Sequence, residues 1–169
     1  AFERCSALPS VTLPAGITSI GMGAFARCPF ITTATLPAGL TSIGPSAFHL
    51  CSSLTHVTLP AGLTFIGEAA FFRCSSLTRV AFPAGLTSIS AAVFSGCSAL
   101  ARVTVPTTAN IASAFACTDT VVLRLPPAKM RTLQRWCEAV DLVLAHKRCR
   151  PGLLGCLERA RSRLASKGS

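Results

Sequence analysis

Nine cysteines and three histidines carry most of the reactive chemistry in this 169-residue chain, and their spacing separates catalysis, metal binding and packing. Cys5, Cys28, Cys51, Cys74 and Cys97 stand 23 residues apart without a slip. A nucleophilic thiol needs a base beside it, and a metal site needs several converging donors. One cysteine returning at a long fixed interval marks stacked structural units instead. Stacking at the ~4.8 Å strand spacing puts neighbouring Cα atoms inside the disulfide range of about 4.4–6.8 Å. In-register side chains point the same way, however, which fits poorly with the near-perpendicular disulfide dihedral. The spacing therefore predicts a column of reduced, buried and inert thiols.

The remaining candidates are weaker. His49, His56 and His146 have no sequence context for an activated Ser or Cys nucleophile, and acidic residues number only six. His146, Cys149 and Cys156, with Cys137 upstream, read His-x₂-Cys-x₆-Cys, which matches no standard zinc spacing. The glycines sit singly at turns rather than in a phosphate-cradling loop. No catalytic residue, metal site or cofactor is expected, and the chain reads as a non-enzyme.

The elements that position the cysteines follow from the same period. Phe2, Phe25, Phe48, Phe71 and Phe94 share it, as do Pro14, Pro37, Pro60, Pro83 and Pro106. Each unit reads Ala-Phe-x-x-Cys-x-x-Leu-x-x-Val-x-Leu-Pro-Ala-Gly-Leu-x-x-Ile-Gly, as in residues 47–67. The alternation Leu54, Val57, Leu59 predicts a short half-buried strand that Pro60 ends. Pro-Ala-Gly then turns the chain by a preset φ and a permissive glycine, Leu63 and Ile66 line the next side, and Gly67 turns it again. Ala47-Phe48 and Cys51 suit one helical or 3₁₀ turn. About eight apolar side chains at ~2 kcal/mol each cannot offset ~1.5 kcal/mol of ordering for every residue of a unit. A lone unit should not fold, and neighbours must cover each inward row. Five regular repeats and a degenerate sixth occupy residues 1–126, the sixth keeping Ala114-Phe115 and ending near Pro126-Pro127.

From Lys129 to Leu144 the pattern changes to Met130, Leu133, Cys137, Val140 and Leu144, an amphipathic helix broken by Arg150-Pro151-Gly152 and followed by a second stripe. Residues 127–169 hold ten of the sixteen Lys/Arg, a surplus of seven over their acids. Arg131, Arg135, Lys147, Arg148, Arg150, Arg159, Arg161 and Arg163 make this tail a candidate surface for nucleic acid or another anion inside a cell, or a solvated cap on the solenoid. No run of apolar residues is long enough to span a membrane. With no cap ahead of Ala1, the chain reads as the C-terminal piece of a longer array.

Outward strand positions are the best candidates for binding a protein partner, because packing does not dictate them. One column reads Ser10, Thr33, His56, Arg79, Arg102, Val122, and the other Thr12, Thr35, Thr58, Ala81, Thr104, Arg124. Thr33, Thr35, His56, Thr58, Arg79, Arg102, Thr104 and Arg124 are the residues singled out, hydroxyls giving way to arginines suited to carboxylate or phosphate. The same residue types also serve strand propensity and solubility.

The repeat resembles the BspA-like branch of the leucine-rich-repeat superfamily, which places a cysteine-leucine pair, a Leu-Pro strand end, an Ile-Gly turn and an Ala-Phe step as residues 1–126 do. The resemblance implies an α/β solenoid of the leucine-rich-repeat type: a right-handed superhelix with a parallel strand ladder and short helical turns, here followed by a helical C-terminal cap. It also implies no cofactor, no enzymatic activity, and protein–protein interaction or adhesion by a cell-surface or secreted protein. The tail lies outside the pattern.

Overall fold

The computed structural model describes residues 2–5, 7–111, 113–116, 118–132 and 135. Ten short strands alternate between two parallel sheets, in chain order β1 (Ser10–Thr12), β2 (Ser19–Ile20), β3 (Thr33–Thr35), β4 (Ser42–Ile43), β5 (His56–Thr58), β6 (Phe65–Ile66), β7 (Arg79–Ala81), β8 (Ser88–Ile89), β9 (Arg102–Pro106) and β10 (Val121–Leu125). Six of them form one sheet in the order β1-β3-β5-β7-β9-β10, and β2-β4-β6-β8 form the other. Each coil thus contributes one strand to each sheet. Through β1, β3, β5 and β7 the partners are 23 residues apart, as in Val11↔Ala34, Ala34↔Val57 and Val57↔Val80. The sequence period is the pitch of the coil.

The strand expectation holds at Val57, whose side chain is buried between exposed His56 and Thr58. The second sheet was legible only as an apolar pair. Each of its strands has two residues, too few to show an alternation, and Ile20, Ile43, Ile66 and Ile89 are its buried members.

The third side, from the Ile-Gly turn through Ala-Phe-x-x-Cys, is neither sheet nor regular helix. Turns of the i→i+3 kind run along it, as in Ala26 N–H to Gly23 O and His49 N–H to Ser46 O. Residues with positive φ bracket each phenylalanine: Gly23 and Arg27, Ser46 and Leu50, Ala69 and Arg73, Ala92 and Gly96. A helix cannot propagate through them, and the freed amides reach the next coil instead. Phe25 N–H donates to Ala47 O at 2.8 Å, Phe48 N–H to Ala70 O at 2.7 Å, and Phe71 N–H to Val93 O at 3.0 Å. All three sides are therefore hydrogen-bonded from coil to coil.

Two glycines differ from the sequence reading. Gly62, in Pro-Ala-Gly, does not adopt a left-handed φ; the turn closes by Leu63 N–H to Pro60 O at 3.0 Å without it. Gly67 is required for space, since a Cβ there would lie 2.6 Å from Pro45 N and 2.8 Å from Gly44 C of the coil before.

Inside, the rows are continuous. Phe2, Phe25, Phe48, Phe71, Phe94 and Phe115 stack with centroids 5.2–5.6 Å apart and planes within 14°. Phe82, standing where the three coils before it have Leu13, Leu36 and Leu59, packs edge-on against Phe94 at 5.6 Å. The cysteine row lies beside it, and here the structure adds a role. Each thiol donates to the phenylalanine carbonyl of the preceding coil: Cys51 to Phe25 O at 3.1 Å, Cys74 to Phe48 O at 3.2 Å, Cys97 to Phe71 O at 3.1 Å. A buried carbonyl left unpaired costs about 1–3 kcal/mol, and a thiol meets that need while packing as a small apolar group.

Residues 127–132 begin a helix, with Met130 N–H bonded to Pro126 O at 3.0 Å and the Met130 side chain buried in the solenoid core. The second expected helix lies outside the described residues.

Candidate functional site: the outer face of the six-stranded sheet

The two outward columns form through the strand register. Thr33 pairs with His56 and His56 with Arg79, while Thr35 pairs with Thr58 and Thr58 with Ala81. The Ala81–Thr104 pairing then sets Arg79 opposite Arg102. His56, Arg79 and Arg102 become a basic strip across three adjacent strands, spanning ~10 Å at the strand spacing. A hydroxyl column of Thr35, Thr58 and Thr104 runs beside it. Thr35, Thr58, His56 and Arg102 are exposed, and Thr33, Arg79 and Thr104 half-buried. The Thr55 hydroxyl lies 3.2 Å from His56 Nδ1. Neither column contains an acidic residue. Like charges directly opposite on adjacent strands oppose folding, and Arg79 and Arg102 stand in that relation.

The last strand departs from the sequence reading. Arg102 pairs with Val121 and Thr104 with Leu123, so the columns continue through those residues rather than Val122 and Arg124. Arg124 pairs with Val105 and belongs to a row that is buried in β9, though Arg124 itself is exposed. The shortened sixth coil moves the register by one residue, and in a strand one residue exchanges the faces. Arg124 is therefore not an extension of the Thr104 column. Val121, half exposed, ends the basic column with an apolar side chain.

The tail residues divide. Arg131 and Arg135 are exposed on helical residues; Lys147, Arg148, Arg150, Arg159, Arg161 and Arg163 lie outside the described residues, as do Cys137, His146, Cys149 and Cys156. Among the described residues no cluster of His, Cys, Asp and Glu is arranged to hold a metal ion, and no helix is long and apolar enough to cross a membrane. Burial raises the Cys51 and Cys97 thiols to about 12 and the Cys74 thiol well above its ordinary value, which removes the thiolate that nucleophilic chemistry needs.

Two patterns escaped the sequence reading. Thr41, Thr64 and Thr87 each donate a hydroxyl to the carbonyl of the threonine one coil earlier, at 3.0, 3.2 and 2.9 Å. Thr32, Thr55 and Thr78 form a second row, Thr32 donating to Pro9 O at 2.9 Å, Thr55 to Thr32 O at 3.1 Å and Thr78 to Thr55 O at 3.1 Å. These threonines are structural, and their 23-residue period was the available signal. Phe65 was also missed. It stands 40% exposed in the outward row of the smaller sheet, where other coils place Ser19, Ser42 and Ser88.

Parallel strands stacked coil on coil, an interior of repeated side chains and a varied outer face define a leucine-rich-repeat solenoid. Residues 1–121 match the BspA type leucine rich repeat region in six copies, and the chain belongs to that family. Among solved structures it is similar to a leucine-rich-repeat protein from Bacteroides ovatus, with 30% identity, a TM-score of 0.68, 73% of this chain and 32% of that one covered. A leucine-rich-repeat protein of T. pallidum follows at 27% identity and a TM-score of 0.62, covering 80% of this chain and 73% of that one. A leucine rich cell surface protein from Faecalibacterium prausnitzii gives 26% identity and a TM-score of 0.50, covering 74% and 43%. The chain thus spans about a third of the Bacteroides ovatus protein's length. No curated protein matches its sequence. As a leucine-rich-repeat solenoid, the chain is a repeat-protein interaction module.

Proposed function

We propose that the chain is a non-enzymatic adhesion module at a cell surface, binding a partner protein through the outer face of the six-stranded sheet. The observation that carries this reading is the strip of His56, Arg79 and Arg102, set between hydroxyl-bearing neighbours on a face without an acid. Guanidinium groups held on a rigid sheet recognise carboxylates in paired hydrogen bonds, so the partner surface is acidic. The surface setting is supported by the family and by the similar cell surface protein of Faecalibacterium prausnitzii. Six strands give a band ~24 Å long, short of the ~800 Å² per partner of a stable interface, so adjoining surface or further coils contribute.

The test replaces Arg79 and Arg102 together by Glu and measures binding to a panel of immobilised extracellular proteins. The expected result is at least a tenfold loss for acidic partners, with the unfolding midpoint unchanged. Binding that persists undiminished would overturn the assignment of this face, and turnover of a substrate by the purified chain would overturn the non-enzymatic reading.

A further inference from the structure

The third side of the solenoid carries a second cluster, independent of the sheet face. Arg27 and Arg73 occupy equivalent positions two coils apart, each with positive φ, 57° and 54°. A non-glycine residue in that region is strained, and the same position in the next coil is Gly96, so arginine is no requirement of the turn. Between them in the coil stack lies His49. Its ring stacks on Phe72 with centroids 5.2 Å apart and planes at 11°. Arg73 places its guanidinium carbon 5.4 Å from the centroid of the same Phe72 ring. Gly96 makes room for that arrangement, because a Cβ there would stand 2.8 Å from Arg73 Cγ. One arginine is thus braced by an aromatic ring and by the absence of a neighbouring side chain.

The cluster is cationic and open. Arg27 and Arg73 are exposed and His49 half-buried. Among the described residues no carboxylate lies within ion-pair range of either arginine, and neither ring nitrogen of His49 makes a hydrogen bond. Both arginines lie near enough to His49 for their fields to reach it: burial first, then Arg27, then Arg73 hold the imidazole below the ordinary histidine range. Two guanidinium groups and an imidazole, carried on three successive coils and with no acid among the described residues paired to them, provide donors for an oxygen-rich anion.

We infer that Arg27, His49 and Arg73 form an oxyanion site on the turn side of the solenoid, taking a carboxylate, sulfate or phosphate group of an approaching ligand. Binding places a negative charge against His49 and favours its protonated form, so affinity rises as the pH falls. The charged groups facing His49 are Arg27 from the coil before and Arg73 from the coil after.

The test is an NMR titration of the full chain, following the His49 and His56 ring signals on addition of sodium sulfate, sodium phosphate or sodium acetate against sodium chloride at equal ionic strength. The expected result is a saturable shift of His49, with tighter binding at pH 5.5 than at pH 7.5. Arg73→Gln is expected to weaken binding roughly tenfold, the loss of one charge-assisted pair, without moving the unfolding midpoint. Saturation by acetate identifies an acidic side chain as the source of the group; saturation only by sulfate or phosphate identifies a sulfated or phosphorylated ligand. A His49 response no larger than with chloride, or an Arg73→Gln variant that titrates like the parent, would overturn the site. Neither result bears on the sheet face, whose arginines are Arg79 and Arg102.

Discussion

The interior of the solenoid and the outer face of its larger sheet follow opposite rules on the same period. Inside, position after position returns the same side chain: phenylalanine at 25, 48, 71 and 94, cysteine at 28, 51, 74 and 97. Outside, the column that passes through Thr33, His56, Arg79 and Arg102 changes at almost every coil. A buried side chain must fit the one above and below it, so a row that works for one pair works for all, and stacked rings 5.3 Å apart leave no room for variety. An outward side chain meets water and is free to differ. Sameness here reports stability, and difference is where recognition is sought.

The strongest way to break that contrast is to break a row. Phe71→Ala removes a fully buried ring from the middle of the stack and is expected to cost about 3–5 kcal/mol by chemical denaturation. A loss below 1 kcal/mol would mean that the stack is not what joins the coils.

The cysteine row offers a sharper separation. Cys74→Val keeps the volume close but removes the donor to Phe48 O, and is expected to cost about 1–3 kcal/mol; Cys74→Ser keeps a donor and should lose less through that carbonyl. Equal losses would assign the cysteine to packing alone. The thiols also set a pH dependence. Their folded pKa is raised from 9.0 to about 12 at Cys51 and Cys97, so the unfolded chain releases these protons first. Stability from this source is full below pH 9.0 and is lost as the pH climbs toward about 12, by up to about 1.4 kcal/mol per pH unit for each thiol. Denaturation curves across that range should show the slope, and Cys97→Ala should flatten it.

On the outside the expected effects are small: Arg102→Thr relieves the charge facing Arg79 and should stabilise by about a few tenths of a kcal/mol. A destabilisation above 1 kcal/mol would show that Arg102 serves the fold rather than a partner.

Much of this was readable from the residues, and the failures have physical causes. The phenylalanine and cysteine rows, the strand around Val57 and the inert thiols all follow from a period that packing enforces. The smaller sheet was missed as a sheet because Ser42-Ile43 and its equivalents are too short to alternate. The positive φ of Arg27 and Arg73 has no sequence mark, since nothing in an arginine announces a conformation that favours glycine. The donor role of the thiols was hidden because a carbonyl left free by the turn appears in no side chain. The last strand was misaligned because the sixth coil is shorter and pairing is set by the chain's path: Val121, not Val122, lies opposite Arg102. The alignment of the two outward columns held through Thr104; the cluster around His49 was not seen, because Arg27, His49 and Arg73 come from three coils and two different positions of the repeat.

The central claim, that recognition belongs to the varied outer face and not to the repeated rows, is tested most directly by site-specific photocrosslinking. A photoreactive phenylalanine analogue is placed at Thr58, in the exposed column, and separately at Thr87, on a hydroxyl row of another side. The chain presented to acidic extracellular proteins is expected to form a covalent adduct from position 58, abolished by adding Arg79→Glu and Arg102→Glu, and none from position 87. Adducts from 87 alone, or from 58 regardless of those arginines, would contradict the claim.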